Sequence, residues 1–159
     1  MAATDYFLKL DGIEGESKDE KHQKEIDIES FSWGATQRGE LGQRKSGKVA
    51  MGDFHFTMAA SKASPQLMQY CAFGRPIPKA VLTIRKAGQK QQEYMKVTLS
   101  DAMISSYQTD GQAGANTIPK EQISLNFGKI EILYQEQTET GQLGGGVMST
   151  VDLRTVSGG

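Results

Sequence analysis

One segment of the sequence resembles a phosphate-binding loop. Residues 42–49 read GQRKSGKV and match the P-loop pattern up to its last position. Val49 occupies the place of the Ser or Thr whose hydroxyl would hold magnesium. The alternation that follows predicts a strand, whereas a P-loop needs a helix whose N-terminal amides meet the phosphates. We therefore expect no nucleotide binding here.

The other residues that could do chemistry are few and scattered. His22 and His55 are the only histidines, and their spacing does not suggest paired metal ligands. Cys71 is the only cysteine, and it is predicted on the apolar face of a short helix, where a thiol is usually inert. The carboxylates lie in loops and on polar faces, so no acid–base pair stands out. We expect no catalytic residue, no cofactor and no metal site.

The composition indicates a folded domain with protein partners. The 159 residues suit one domain, 1–159, with one core. With 18 basic and 19 acidic residues, the formal charge of -1 provides no long-range attraction to nucleic acid or to an anionic membrane. A single cysteine excludes an intramolecular disulfide framework.

No targeting or membrane-spanning segment is predicted. The N-terminal residues have no basic region followed by a sustained apolar run, and no other stretch could span a bilayer. We expect the chain to start in the cytoplasm and to leave the cell, if it does, without a cleavable signal peptide.

Alternating apolar and polar residues predict several short antiparallel strands. In two places the apolar phase reverses: near Ser30, between Ile28 and Phe31, and again at Gly128. A reversal requires a bulge, or a strand that passes from one apolar environment to another. At Gly128 we expect backbone angles that only glycine adopts easily.

One helix is predicted after Ser64, which could cap it, with Gly74 at its end. Residues 16–24 are mostly charged or polar and are interpreted as a solvated loop. Residues 34–47 are predicted to form a long exposed loop, and residues from about 140 to 159 a flexible or extended tail. The predicted fold class is mainly β, a small antiparallel β-barrel of two curled sheets with one short flanking α-helix and a long extended loop.

Several segments, in order and at similar spacing, resemble the haemolysin-coregulated protein (Hcp) family of type VI secretion. The segments are FLKLDGIEGESKD (7–19), EIDI (25–28), FSWG (31–34), AVLTIRKAG (80–88), ISSY (104–107) and QISLNFGKI (122–130).

That resemblance implies a hexameric ring whose stacked copies form the inner tube of an injection machine. The protein would then be a structural subunit, secreted through the apparatus, that carries effectors and meets spike, sheath and baseplate proteins. The strand matching residues 28–33 would border the lumen, so Ser30 and Ser32 become candidates for effector contact. The residues implied in ring stacking are Arg38, Glu40, Arg44, Lys45 and Lys48.

A monomeric β-barrel that binds a small ligand in its interior is the alternative hypothesis. The large apolar side chains predicted to point inward would fill a small barrel and leave no pocket. These are Phe54, Phe56, Leu99, Leu125 and Phe127. The tube subunit is therefore the preferred interpretation.

Overall fold

The computed structural model describes residues 4–37, 49–86, 92–114, 118–137 and 143–155. In these ranges eleven strands and one helix occur, which confirms the predicted mainly β fold class. In chain order they are β1 (Thr4–Leu10), β2 (Ile26–Asp27), β3 (Ser30–Ser32), β4 (Ala35–Gln37), β5 (Val49–Met51), β6 (Phe54–Ala59), α1 (Ser64–Phe73), β7 (Pro76–Lys86), β8 (Glu93–Asp110), β9 (Lys120–Asn126), β10 (Lys129–Gln137) and β11 (Leu143–Asp152).

Nine strands form one antiparallel sheet that folds around the core. Its order is β2-β1-β7-β8-β9-β6-β3, with β10 paired to β8 and β11 paired to β10. The long strand β8 changes its pairing partner along its length: residues 95–100 pair with β10, and residues 103–110 pair with β9. Strands β4 and β5 form a separate pair. Strand β11 lies in the segment predicted as a flexible or extended tail, residues from about 140 to 159.

The phase reversal near Ser30 marks a change of pairing partner. The segment 26–32 pairs with β1 through its first residues and with β6 through its last. Between them the Ile28 amide donates to the carbonyl of Tyr6 at 3.2 Å. The next amide, of Glu29, donates to the carbonyl of Thr57 at 2.8 Å. This segment therefore joins the two ends of the strand order, which agrees with the second predicted alternative, a strand that passes from one environment to another.

The reversal at Gly128 is also present, but the predicted backbone angles that favour glycine are not. Gly128 lies where the chain leaves the pairing of β9 and enters that of β10. The φ angle of Gly128 is not positive. At this bend the residue with a positive φ, 52°, is Asp101 on the facing strand. A Cβ on Gly128 would lie 3.4 Å from Cδ of Arg154 and 3.5 Å from Cβ of Asp101. Both distances are ordinary van der Waals contacts, so neither a positive φ nor crowding requires glycine at this bend.

The interior is filled by large apolar side chains. Phe54 and Leu125 are 0% exposed, Phe56 and Leu99 are 1% exposed, and Phe127 is 5% exposed. All five were predicted to point inward, and they belong to one cluster with the buried residues of β1, β7 and α1. Close packing of this kind leaves little space for a ligand inside.

Helix α1 ends as predicted, and its N-cap lies one residue before the predicted cap, Ser64. Gly74 has φ 60°, the left-handed conformation that terminates helices, and its amide donates to the carbonyl of Cys71. Ala63 is the N-cap, so Ser64 is the first helical residue. The Ser64 hydroxyl instead donates to Oε1 of Glu121 at 2.6 Å, which attaches the helix to β9.

The loop at residues 16–24 is solvated at six of its nine residues, as predicted, but Ser17 and His22 are buried. His22 is 7% exposed, and its ring stacks on Phe7 with centroids 4.5 Å apart. Its Nδ1 lies 2.8 Å from Glu25 and its Nε2 lies 2.5 Å from Glu93. The loop is thus fastened to the start of β8 by contacts between residues far apart in sequence.

Ion pairs of the buried Arg85 fasten the same loop to β7. Arg85, 2% exposed, donates two hydrogen bonds to Asp19 at 2.8 and 2.9 Å and one to Asp5 at 3.1 Å. Its guanidinium lies 4.7 Å from the ring centroid of Phe7. The bonds from Arg85 lower the pKa of Asp19, and those with Asp19 raise the pKa of Arg85. Burial and the neighbouring Asp5 and Asp19 raise the pKa of Asp27.

Candidate functional site

The outer side of strands β3, β6, β9 and β8 carries a patch of Ser, Thr, Gln and His side chains, here called the polar face. Two residues of each strand contribute. Each of these residues lies directly opposite another of them on the neighbouring strand. Direct partners in antiparallel strands lie on the same side of the sheet. The residues are Ser30, Ser32, His55, Thr57, Ser106, Gln108, Gln122 and Ser124.

The polar face follows from the alternation of these strands. Phe54 and Phe56 point into the core, so His55, which lies between them, must point outward. The hydroxyls of Ser30 and Thr57 are 2.6 Å apart, and Nδ1 of His55 is 2.6 Å from Oγ of Ser124. These bonds orient groups that still offer donors and acceptors to a bound molecule.

Charged side chains border the polar face at both ends of its strands. Asp53, at the start of β6, accepts hydrogen bonds from Ser105 at 2.7 Å and from Asn126 at 3.4 Å. At the other end Lys120 pairs with Glu29. The eight residues between these ends include no Asp, Glu, Lys or Arg. The site therefore favours contacts by hydrogen bonding over strong electrostatic attraction.

Two shallow depressions meet at His55. One, of about 240 Å³, is lined by polar-face residues of β6, β8 and β9. The other, of about 480 Å³, is lined by Trp33, Met51 and Asp53 among others, together with Ser32. His55 lines both depressions.

The reverse side of β8 and β9 holds a buried carboxylate. Glu121 is 1% exposed and accepts hydrogen bonds from the hydroxyls of Ser64, at 2.6 Å, and Thr109, at 2.9 Å. The Tyr107 hydroxyl also donates to it. Burial, and then the bond to Glu121, raise the pKa of Tyr107. This cluster fixes the strands of the polar face to α1 on their opposite side.

The structure places the two predicted contact residues together. Ser30 and Ser32 are exposed on β3 and point the same way. The five predicted stacking residues, Arg38, Glu40, Arg44, Lys45 and Lys48, lie outside the described residues.

The other candidate groups are dispersed. Most of the P-loop-like segment lies outside the described residues, and Val49 begins strand β5 rather than a helix. Cys71 is half-buried rather than fully buried, while His22 contacts carboxylates and His55 contacts Ser124. In the described ranges no group of three or more His, Cys, Asp or Glu is placed to hold a metal ion. No helix within them is long and apolar enough to cross a membrane.

Six of the eight polar-face residues were not predicted as site residues. The alternation that would identify them is present in β6 and β9, where polar residues separate core residues. Such a pattern is also typical of any solvated strand. Only the register, which sets His55 beside Ser32 and Ser124, shows that they form one surface.

Comparison with known proteins gives matches over most of the chain. Residues 7–134 match the family model described as "Type VI secretion system effector, Hcp". The chain is 40% identical over 148 residues to the protein hcp1 of Pseudomonas aeruginosa, covering 91% of each sequence.

Solved structures agree with this match. The crystal structure of Hcp1 from Salmonella typhimurium is 34% identical, with a TM-score of 0.82 and 97% of each chain covered. A structure described as a type six secretion system protein is 28% identical, with a TM-score of 0.91, covering 98% of this chain and 99% of that one.

Proposed function

Because the chain belongs to the Hcp family of type VI secretion proteins, we propose that six copies form a ring and that stacked rings form the secretion tube. Each subunit serves as a structural element and not as an enzyme. It is made in the bacterial cytoplasm and leaves through the type VI apparatus. Its other partners are the spike, sheath and baseplate proteins of the machine, with no role for nucleic acid or membrane insertion.

We assign effector binding to the polar face, with Ser30 and Ser32 among the contact residues. Most of its residues are exposed in the single chain, and the core and α1 lie behind it, so it is available to border a lumen. Hydroxyl, amide and imidazole groups suit the temporary binding of different passenger proteins, since each contact is of modest strength. This surface is the observation that carries the proposal.

Exposed apolar side chains on two different elements support ring formation. Phe73 and Met68 of α1 are 69% and 55% exposed. Val147 and Met148 of β11 are 71% and 59% exposed. A contact between two different surfaces of neighbouring copies is head-to-tail, and it closes into a ring when the rotation between copies permits.

We assign ring-to-ring stacking to the segment that contains Arg38, Glu40, Arg44, Lys45 and Lys48. It connects β4 and β5, the two strands that pair with each other and not with the main sheet. Four of the five residues are basic, so contacts with acidic groups of the next ring are expected to contribute.

A monomeric barrel with an interior ligand is less favoured. The side chains that would line its cavity are packed against each other, at 0% to 5% exposure. An occupant of that space would have to displace core residues, and cavity formation is costly.

Measuring the mass of the purified chain by size exclusion with light scattering tests the proposal. Six chains of 17.4 kDa give a particle of about 104 kDa, and negative-stain images should show rings with sixfold symmetry. A mass of 17.4 kDa at every concentration would contradict ring formation and return the ligand-binding barrel to consideration.

A further inference from the structure

The depression between Trp33 and Asp53 combines an apolar wall with a carboxylate. Trp33 and Met51 pack against the core cluster, so their positions are fixed. Asp53 is half-buried and held by Ser105 and Asn126. In the part of the chain that the structure describes, both of these hydrogen-bond partners of Asp53 are neutral. We propose that this depression binds an arginine side chain of the passenger protein.

The chemistry of the depression selects for that side chain. A guanidinium stacks on the face of a tryptophan, and its aliphatic stem covers apolar surface such as Met51. Its planar N–H groups also match the two oxygens of a carboxylate, which a lysine ammonium cannot do in the same geometry. Asp53 supplies that carboxylate, with an orientation set before binding by its two hydrogen bonds.

The position of the depression connects this inference to effector carriage, on which it rests. The depression shares Ser32 and His55 with the polar face. A passenger arginine at Asp53 would fix the register of the passenger, while neutral groups of the polar face bond to its neighbouring surface. A charged anchor beside a neutral surface gives selectivity for passengers that place an arginine at this point.

Trp33 is the only tryptophan in the chain, so its fluorescence reports on this depression. The probe is the peptide acetyl-Gly-Arg-Gly-amide, titrated into the intact protein, and its comparison is the peptide with citrulline in place of arginine. Citrulline has nearly the same shape and no charge. We expect a saturable change of emission with the arginine peptide and a much weaker response to the citrulline peptide.

Asp53→Asn should lower the affinity for the arginine peptide by about fivefold, as expected for the loss of a partly exposed ion pair. Asp110→Asn is the matched control: it removes the same charge at the far end of β8 and should leave binding unchanged. No saturable response, equal responses to both peptides, or unchanged binding by Asp53→Asn would overturn the proposal.

One further outcome would identify a different occupant. In this outcome the substitution Asp53→Asn changes the Trp33 emission of the free protein while the arginine peptide causes no change. In that case a cationic group of the chain itself fills the depression, and the proposal that it binds a passenger arginine is wrong. Light scattering on the same sample separates this from the proposed function. Rings without an arginine response overturn only this inference, whereas absence of rings contradicts the tube.

Discussion

Asp19→Asn should destabilise the fold by separating the 16–24 loop from β7. The native carboxylate receives two hydrogen bonds from Arg85, whose side chain is 3% exposed, while that of Asp19 is 19% exposed. Asparagine retains one oxygen acceptor and replaces the other with an NH₂ group. That NH₂ would face a guanidinium N–H, so one charge-assisted bond is lost together with the negative charge.

The size of the effect follows from these contacts. A hydrogen bond to a charged group contributes about 1.5–3 kcal/mol, and breaking a fully buried ion pair costs about 3–5 kcal/mol. Asp5 still accepts from Arg85 at 3.1 Å, so Arg85 is not left without a partner. We therefore expect the free energy of unfolding to fall by about 2 kcal/mol at neutral pH.

The pH dependence gives a sharper test, because the folded-state pKa of Asp19 is lowered by its bonds from Arg85. A carboxylate with a depressed pKa stabilises the folded state above its unfolded pKa of about 3.9. This contribution is lost as the pH falls through the folded pKa. The difference between the native protein and Asp19→Asn should thus be constant from pH 7 to about 5 and shrink below about 4.

Urea unfolding at one fixed protein concentration, followed by circular dichroism across this pH range, measures the difference. Asp101→Asn is the matched control, because Asp101 also pairs with an arginine, Arg154, but both side chains are more than half exposed. It should produce no measurable change, as is usual for exposed pairs. Equal losses in the two variants, or a loss that does not depend on pH, would refute the assignment of Asp19 as a buried anchor.

Two further predictions concern the proposed tube. Ser32→Gln places a longer side chain on the polar face and should lower the steady-state level of the carried effectors in cells. The control Thr155→Gln, at an exposed turn, should leave that level unchanged. Unchanged effector levels with Ser32→Gln would show that Ser32 does not border the lumen. Reversing the charge of both Arg38 and Lys45 should leave rings intact in light scattering but reduce tube length in electron micrographs, and tubes of native length would contradict the stacking role.

The local pattern of residues predicted most of the strands, the helix and the positions of two bends, but not β4, which lies in the predicted loop, or β11, which lies in the predicted tail. Alternation predicted the strands, and Gly74 ends α1 in the left-handed conformation that glycine adopts without strain. The reversal near Ser30 marked the place where the chain passes from β1 to β6. Each of these features depends on neighbours within a few residues, so one sequence is enough to find it.

Contacts between distant residues could not be predicted in the same way. His22 and Asp19 looked solvated because their neighbours are charged, yet they are held by Glu93 and Arg85, 71 and 66 residues away. Glu121 has the pattern of an ordinary polar strand residue, but three hydroxyls from α1 and β8 compensate its burial. A buried charge is stable only when its partners are in place, and the sequence does not show which residues those are.

The candidate site combines both kinds of information. The sequence determined that polar residues alternate with core residues in β6 and β9, and the family resemblance directed attention to Ser30 and Ser32. The tertiary structure decided that eight such residues from four strands form one face, with Trp33 and Asp53 at its border. The reason is register: the side-chain period of a strand fixes which side a residue faces, but only the pairing of strands fixes its neighbours across the sheet.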